Sequence, residues 1–287
     1  MKNLKGAGVA LVTPFHQDMS IDYAGLERVI EHVIAGGIDY LVVQGTTGES
    51  ATLTKAEKKE VLKFSIKVNR GRLPIVFGIG GNNTSAILDE IEATEFEGVD
   101  AILSVCPYYN KPTQEGLVAH FTKVADACPV PVILYNVPGR TMCNIAAATT
   151  LTLTEHHNII GIKESSGSLE QCMHIAAKKP DDFLLISGDD MWGSALKAMG
   201  GEGIISVMAN AFPDIISSII HSDMEGSRKS TFRLLEINPL MYVESNPVGI
   251  KCLLNQMELC RDEVRLPLLK ASSHLRQKIK DAFSKIH

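Results

Sequence analysis

The chain alternates short, continuously apolar segments with amphipathic ones, and this alternation constrains the fold more than any other feature. Continuous apolar runs are typical of parallel strands that are covered on both faces. Eight such runs predict strands at Gly8–Phe15, Tyr40–Gly45, Pro74–Ile79, Ala101–Cys106, Val130–Tyr135, Ile159–Lys163, Phe183–Ser187 and Gly203–Met208. Helices are predicted between strands, for example at Gly25–Ala35, Lys55–Asn69, Ser85–Glu97 and Gln114–Ala127. The pattern favours an α/β fold, a closed (β/α)8 TIM barrel, over an open sheet, because no convincing dinucleotide-binding fingerprint is present.

The strand pattern stops after about residue 225, and the rest of the chain is predicted to be helical. We expect helices at Arg228–Ile237, Pro239–Met257 and Pro267–Ile286, with Pro247 interrupting the second. No flexible linker separates this part from the barrel. The predicted division is therefore a barrel of residues 1–224 and a C-terminal helical extension of residues 225–287 that packs on it.

Composition and charge exclude several classes of function. The net charge of −5 and the absence of a basic stripe argue against nucleic-acid and membrane-surface roles. No signal peptide or membrane-spanning run is visible, and the six cysteines are dispersed without a CxxC pair. The nine histidines form no set at strand ends, which weighs against a zinc-dependent aldolase. We expect a cytoplasmic enzyme with reduced thiols that needs no cofactor or metal.

Polar side chains follow several of the predicted strands, at the end of a barrel where catalytic groups lie. Lys163 closes a buried apolar strand, where an uncompensated ammonium is costly and a lysine commonly loses its proton. A neutral amine can capture a carbonyl compound as a Schiff base. Tyr135 ends the preceding strand and can act as a general acid and base beside it.

Two further groups at the same end suit a 2-oxo acid and a second carboxylate. Thr46 and Thr47, flanked by glycines, offer hydroxyl and backbone N–H groups, and Arg140 can hold a carboxylate with two hydrogen bonds. Each residue alone has a simpler interpretation. The lysine and the arginine could be solvated surface charges, the tyrosine could be a core aromatic residue, and threonine pairs are common in strands. Their joint placement favours catalysis. Asp189 and Asp190 could bind a cation, but helix capping is the favoured interpretation.

Several long motifs in matching order resemble the dihydrodipicolinate synthase family of pyruvate-dependent class I aldolases. They are GTTGES at Gly45–Ser50, PYYNKPTQEG at Pro107–Gly116, YNVPGRT at Tyr135–Thr141, GIKESSG at Gly161–Gly167, SGDD at Ser187–Asp190 and GGEGIISV at Gly200–Val207. The resemblance implies a barrel enzyme that condenses pyruvate with L-aspartate 4-semialdehyde on the diaminopimelate route to lysine. It also implies a homotetramer built as a dimer of dimers.

The resemblance assigns roles to matching positions. It implies that Lys163 forms the Schiff base and that Tyr135 donates the proton. Thr46 and Tyr109 then complete a proton relay, with Tyr109 offered across a dimer interface to the neighbouring subunit. The implied substrate contacts are Thr47 and Ile205 for pyruvate, and Arg140 for the semialdehyde carboxylate.

Two alternatives and one departure from the family pattern remain. N-acetylneuraminate lyases resemble the lysine and tyrosine motifs but generally lack an arginine at the place of Arg140, and a barrel could also sense a 2-oxo acid without turnover. Members inhibited by lysine commonly carry histidines and an acidic residue where this chain has Lys55, Lys58 and Ala86. Cationic side chains repel cationic lysine, so we expect feeble or absent feedback inhibition.

Overall fold

Eight parallel strands form a closed barrel in the computed structural model, which describes residues 4–286. They pair in chain order, and the last strand pairs with the first. The strands are β1 Gly6–Ala10, β2 Tyr40–Val43, β3 Ile75–Gly78, β4 Ala101–Val105, β5 Val132–Asn136, β6 Ile159–Glu164, β7 Leu184–Ser187 and β8 Gly203–Ser206. The predicted (β/α)8 barrel is confirmed.

Helices follow the strands and continue beyond the barrel. Within the described residues they are α1 Tyr23–Ala35, α2 Lys55–Asn69, α3 Thr84–Glu92, α4 Gln114–Ala127, α5 Pro138–Thr141, α6 Ala147–Leu153, α7 Leu169–Ala176, α8 Gly193–Ala198, α9 Pro213–His221, α10 Met224–Arg233, α11 Val248–Gln256 and α12 Ser273–Phe283. Short 3-10 turns lie at Thr46–Gly48, Ser50–Thr52, Asp190–Trp192, Met208–Asn210 and Asn238–Met241.

Local capping sets several helix starts. The Thr54 hydroxyl accepts from Glu57 N at 3.2 Å, and Glu57 accepts from Thr54 N at 2.9 Å, so α2 begins with a capping box. Thr113 caps α4 in the simpler way, accepting from Gly116 N at 3.2 Å. The sequence boundaries of both helices, α2 and α4, are confirmed.

Several predicted boundaries were wrong. The first strand ends at Ala10 rather than Phe15, because the chain leaves the barrel and Val12 N donates to the Asn210 side chain instead of to a strand. The third helix ends at Glu92, five residues before its predicted end at Glu97. In the C-terminal part, α10 begins at Met224 rather than Arg228, because Asp223 caps it. Helix α12 begins at Ser273 rather than Pro267, because Ser272 caps it.

The interval predicted as one interrupted helix, Pro239–Met257, is a 3-10 turn followed by α11. Pro247 stands immediately before α11, so the predicted interruption lies where the helix begins. The backbone between the 3-10 turn and α11 carries Asn246 to the barrel mouth.

Two apolar cores result from the alternation of side chains along each strand. Val132 and Leu134 of β5 face the helices, whereas Ile133 and Tyr135 face the barrel interior. The interior is closed below by Tyr40, whose hydroxyl donates to Ile204 O at 3.3 Å. Gly8 permits this, because a Cβ there would lie 2.3 Å from the Tyr40 ring. The barrel interior is thus a packed core with its opening at the carboxyl ends of the strands.

All six cysteines are free and buried. No helix between residues 4 and 286 combines the length and apolar character needed to cross a membrane.

Candidate active site

Lys163 and Tyr135 lie side by side in the barrel interior. They are paired residues in the register of β5 and β6, so both side chains point to the same face. The Lys163 Nζ atom lies 4.3 Å from the centroid of the Tyr135 ring. Lys163 is 5% exposed and Tyr135 is 7% exposed. The predicted juxtaposition of amine and phenol at the barrel mouth is therefore present.

The adjacent carboxylate, Glu164, points away from Lys163 because successive side chains of a strand alternate. Its oxygens accept from Asn136 Nδ2 at 3.1 and 3.0 Å, from Ser166 N at 2.7 Å and from Gln171 Nε2 at 2.8 Å. Glu164 is thus held by neutral donors on the outer face. Among residues 4–286 no carboxylate forms an ion pair with Lys163.

Gly188, at the end of β7, leaves the space that the Lys163 side chain occupies. A Cβ at this position would lie 2.9 Å from Lys163 Cε and 1.8 Å from Ser165 Oγ. Carbon atoms in ordinary contact are about 3.5–4.0 Å apart. The glycine of the SGDD motif is therefore required by the path of the lysine stem.

A cavity of about 170 Å³ opens beside these residues at the carboxyl ends of the strands. It is lined by Ala10, Val42, Gly45, Thr46, Thr47, Leu103, Tyr135, Val137, Arg140, Lys163, Ser165, Gly188, Asp189, Val207, Tyr242 and Asn246. Its size suits a small metabolite. A larger cavity of about 670 Å³ lies on the flank of the barrel against α2 and α3. That surface cavity is remote from Lys163 and offers lysines mostly paired with glutamates, as in Lys59–Glu95 at 2.6 Å.

The Thr46–Gly48 turn presents its threonines to the cavity. Thr47 is buried, and its hydroxyl accepts from Asn246 Nδ2 at 3.0 Å. The Gly48 carbonyl accepts from the Thr13 hydroxyl at 2.7 Å. The oxygen of the Asn246 amide, Oδ1, is buried without a hydrogen-bond partner among the described residues. The turn therefore offers hydroxyl and amide groups for a polar ligand next to Lys163.

Two opposite charges line the cavity besides Lys163. Arg140 stands on the short helix α5, and Asp189 follows β7. Neither takes part in an ion pair among residues 4–286. Asp189 Oδ1 accepts from Met191 N at 2.9 Å, which confirms its predicted capping role, and burial raises the pKa of its carboxyl. A ligand with both an ammonium and a carboxylate matches this pair.

Behind the cavity, Asp190 is fully buried and bridges three elements. Its Oδ2 accepts from Val207 N and Met208 N at 3.2 Å each, and from the Tyr242 hydroxyl at 3.2 Å. Burial raises the pKa of Asp190, and burial together with this carboxylate raises the pKa of Tyr242. Asp190 thereby fixes the Tyr242 ring at the cavity wall.

The structure brings together five of the seven residues predicted for the site. Lys163, Tyr135, Thr46, Thr47 and Arg140 all line the cavity. Ile205 is fully buried in the barrel interior on β8 and is not among the lining residues. Tyr109 is 88% exposed with a φ of 75° and also lies outside the lining.

Sequence reasoning missed several lining residues. Asn246 and Tyr242 come from the segment between α10 and α11, and their only local signal was the proline that follows Asn246. Gly188 belongs to the SGDD motif, but no neighbouring residue in the sequence indicates that its missing side chain makes room for Lys163. For Asp189, helix capping was favoured over cation binding, and its place in the cavity lining was not predicted.

Within residues 4–286 no three His, Cys, Asp or Glu side chains lie close enough to hold a metal ion. His156, which precedes β6, bonds to Asp126 at 3.0 Å at the opposite end of the barrel.

Comparison with known proteins agrees with this geometry. A family model described as the dihydrodipicolinate synthetase family matches residues 3–286. A relative from Cytophaga hutchinsonii named 4-hydroxy-tetrahydrodipicolinate synthase is 49% identical, over 100% of this chain and 98% of its own.

Solved structures are similar over the whole chain. A dihydrodipicolinate synthase from Bacillus anthracis has a TM-score of 0.96 at 34% identity, with 100% of both chains covered. A structure described as the first monomeric dihydrodipicolinate synthase variant has a TM-score of 0.95 at 31% identity, covering 98% of this chain and 96% of its own. With a buried lysine and tyrosine at the barrel mouth and a family match along its length, the chain belongs to the dihydrodipicolinate synthetase family.

Proposed function

We propose that this chain is a 4-hydroxy-tetrahydrodipicolinate synthase, which condenses pyruvate with L-aspartate 4-semialdehyde on the diaminopimelate route to lysine. The observation that carries the proposal is the buried Lys163 amine, 4.3 Å from the Tyr135 ring in a small cavity at the barrel mouth. Family membership supports the same reaction. Neither an N-acetylneuraminate lyase nor a sensor explains as well why the cavity is lined by both Arg140 and Asp189.

Lys163 attacks the ketone carbon of pyruvate, and the resulting carbinolamine loses water to form the Schiff base. Tyr135 donates a proton to the departing hydroxyl and accepts one at later steps. The Thr46 hydroxyl passes protons between Tyr135 and Tyr109 of a neighbouring subunit, while Thr47 and Ile205 contact pyruvate. Loss of a methyl proton gives the enamine, whose carbon adds to the aldehyde. The amino group of the product then displaces Lys163 as the ring closes.

The charges at the cavity mouth select the acceptor. Arg140 holds the carboxylate of the semialdehyde with two hydrogen bonds. Asp189 accepts from its ammonium group, since no lysine or arginine engages that carboxylate among the described residues. A sugar aldehyde carries no ammonium group at this place. The pair therefore favours a small amino acid aldehyde as the acceptor.

Borohydride reduction tests the mechanism. With pyruvate present, reduction should add the mass of the reduced adduct to the tryptic peptide that contains Lys163. The Lys163→Ala variant should fold normally, form no adduct and lose nearly all turnover. An adduct on another lysine would refute the mechanism. Comparing aspartate semialdehyde with sugar aldehydes as acceptors separates synthase from lyase, and an adduct without consumption of either aldehyde would favour the sensor.

The role of Tyr109 requires a second subunit. Its ring is 88% exposed and its backbone has a φ of 75°, which is costly for a bulky residue. We propose a homotetramer in which this tyrosine enters a neighbouring site. Sedimentation at the assay concentration tests the assembly, and a fully active monomer would refute the role of Tyr109.

The same proposal places the protein in the cytoplasm. It also divides the chain into a barrel of residues 1–224 and a C-terminal helical extension of residues 225–287. The C-terminal part is not a separate functional unit in this proposal, because Tyr242 and Asn246 line the cavity.

A further inference from the structure

Glu49 ends the Thr46–Gly48 turn in a conformation that most side chains disfavour. Its φ is 54° and its ψ is 34°, in the left-handed region that glycine adopts at little cost. The side chain of Glu49 is nevertheless only 2% exposed. A buried carboxylate on a strained backbone requires partners that hold it in place.

Among the described residues, the hydrogen-bond partners of the Glu49 carboxylate come from the C-terminal part of the chain. Lys251 Nζ donates to Oε1 at 2.5 Å, and Arg265 N donates to Oε2 at 2.9 Å. Lys251 is fully buried, donates also to Glu263 O at 2.8 Å and lies 4.1 Å from the centroid of the Phe15 ring. Burial lowers the pKa of Lys251, and the Glu49 carboxylate opposes that change. The ammonium thus joins α11, the segment before α12 and the turn.

The turn that these groups hold is the one that carries the cavity threonines. Residues Thr47, Gly48 and Glu49 each bind a distant part of the fold, through Asn246, Thr13 and Lys251 respectively. We infer that the buried Glu49–Lys251 ion pair positions the Thr46–Thr47 turn for catalysis, so that Glu49 and Lys251 are positioning residues of the active site. The inference rests on the proposed function, because it concerns turnover at Lys163.

A second ion pair of the same chemistry provides a matched control. The Glu202 carboxylate accepts from Lys179 Nζ at 2.5 Å and from Leu185 N at 2.8 Å, so it too has one ammonium and one backbone partner. Glu202 directly precedes β8, at the end of the barrel opposite to Lys163. If the Glu49 pair only stabilises the fold, the two pairs should behave alike.

The experiment compares Glu49→Gln with Glu202→Gln in the full chain. Borohydride trapping with pyruvate counts the competent lysines, and steady-state turnover is then expressed per trapped site. We expect both variants to melt at lower temperature. Per trapped site, Glu49→Gln should lose at least about tenfold in kcat and show a raised KM for pyruvate, because sub-ångström displacement of positioned groups is costly. Glu202→Gln should keep the wild-type kcat and KM.

Equal kcat and KM per trapped site in the two variants would overturn the inference while leaving the Schiff-base function intact. Absence of any adduct in the wild-type protein would instead refute the proposed function. If Glu49→Gln does not fold, Glu49→Asp is compared with Glu202→Asp. Aspartate keeps the negative charge, but its shorter side chain reaches Lys251 only if the turn moves toward it. A kcat loss confined to Glu49→Asp supports positioning, and its absence overturns it.

Discussion

Replacing Gly188 with alanine tests how closely the barrel mouth is fitted to Lys163. The added methyl group would lie 1.8 Å from Ser165 Oγ, 2.9 Å from Lys163 Cε and 3.1 Å from Lys163 Cγ. The serine hydroxyl can rotate away, but the lysine stem has to retreat by about 0.5–1 Å to reach ordinary contact. A displacement near 1 Å costs about 100-fold in rate when a reacting group is moved. We therefore expect kcat to fall by about 10- to 100-fold.

The same substitution should destabilise the fold moderately. Overpacking costs about 1–3 kcal/mol, which lowers the melting temperature by several degrees. In the double variant Gly188→Ala/Ser165→Ala the contact at 1.8 Å is removed and those with Lys163 remain. It should regain thermal stability without regaining turnover.

The assay measures turnover, the rate of borohydride trapping at Lys163 and the melting temperature for each variant. Gly139→Ala is the control, because apart from its chain neighbours and the backbone of its own helix no described atom lies within 4 Å of the added methyl group. It should stay within about twofold of wild type, as open-surface substitutions do. Wild-type turnover per trapped lysine in Gly188→Ala would refute the argument that this glycine makes room for the lysine.

Three further predictions follow from charges. The hydrogen bonds from Arg265 lower the pKa of Glu57 from 4.5 to about 2. This carboxylate therefore stabilises the fold above pH 4.5, and its contribution is lost as the pH falls toward about 2. Urea unfolding at neutral pH and at about pH 3 should show that loss of stability in the wild-type protein but not in Glu57→Gln. Asp189→Asn keeps the helix cap and should raise the KM for aspartate semialdehyde about tenfold, since charge-assisted bonds contribute about 1.5–3 kcal/mol, whereas the KM or inhibition constant of the same aldehyde acid without the amino group should not change. Free lysine should not half-inhibit the enzyme below about 1 mM, which corresponds to a binding free energy of about −4 kcal/mol. We expect Lys55 to repel the cation, whereas the charge of Lys58 is offset by Glu90 at 3.5 Å; stronger inhibition in initial-rate assays would contradict this.

Features encoded within a few residues could be predicted from the sequence. The continuous apolar runs indicate buried parallel strands, and the Thr54–Glu57 pattern marks the start of α2. Lys163 and Tyr135 could be assigned to one end of the barrel because each closes such a run. Strand and helix ends were less predictable. The first strand ends early because Val12, two residues after its end, donates to Asn210, which lies 198 residues away.

Partnerships between distant segments were decided only by the tertiary structure. Asn246 meets Thr47 across 199 residues, and Lys251 meets Glu49 across 202. No local pattern encodes these contacts, since they arise when the barrel closes and the C-terminal helices return to its mouth. The fit of Gly188 to Lys163 has the same origin, because it depends on the register of β6 and β7. By itself the sequence therefore determined the barrel and the place of Lys163 at the end of a buried strand, whereas closure of the chain decided which side chains surround that lysine.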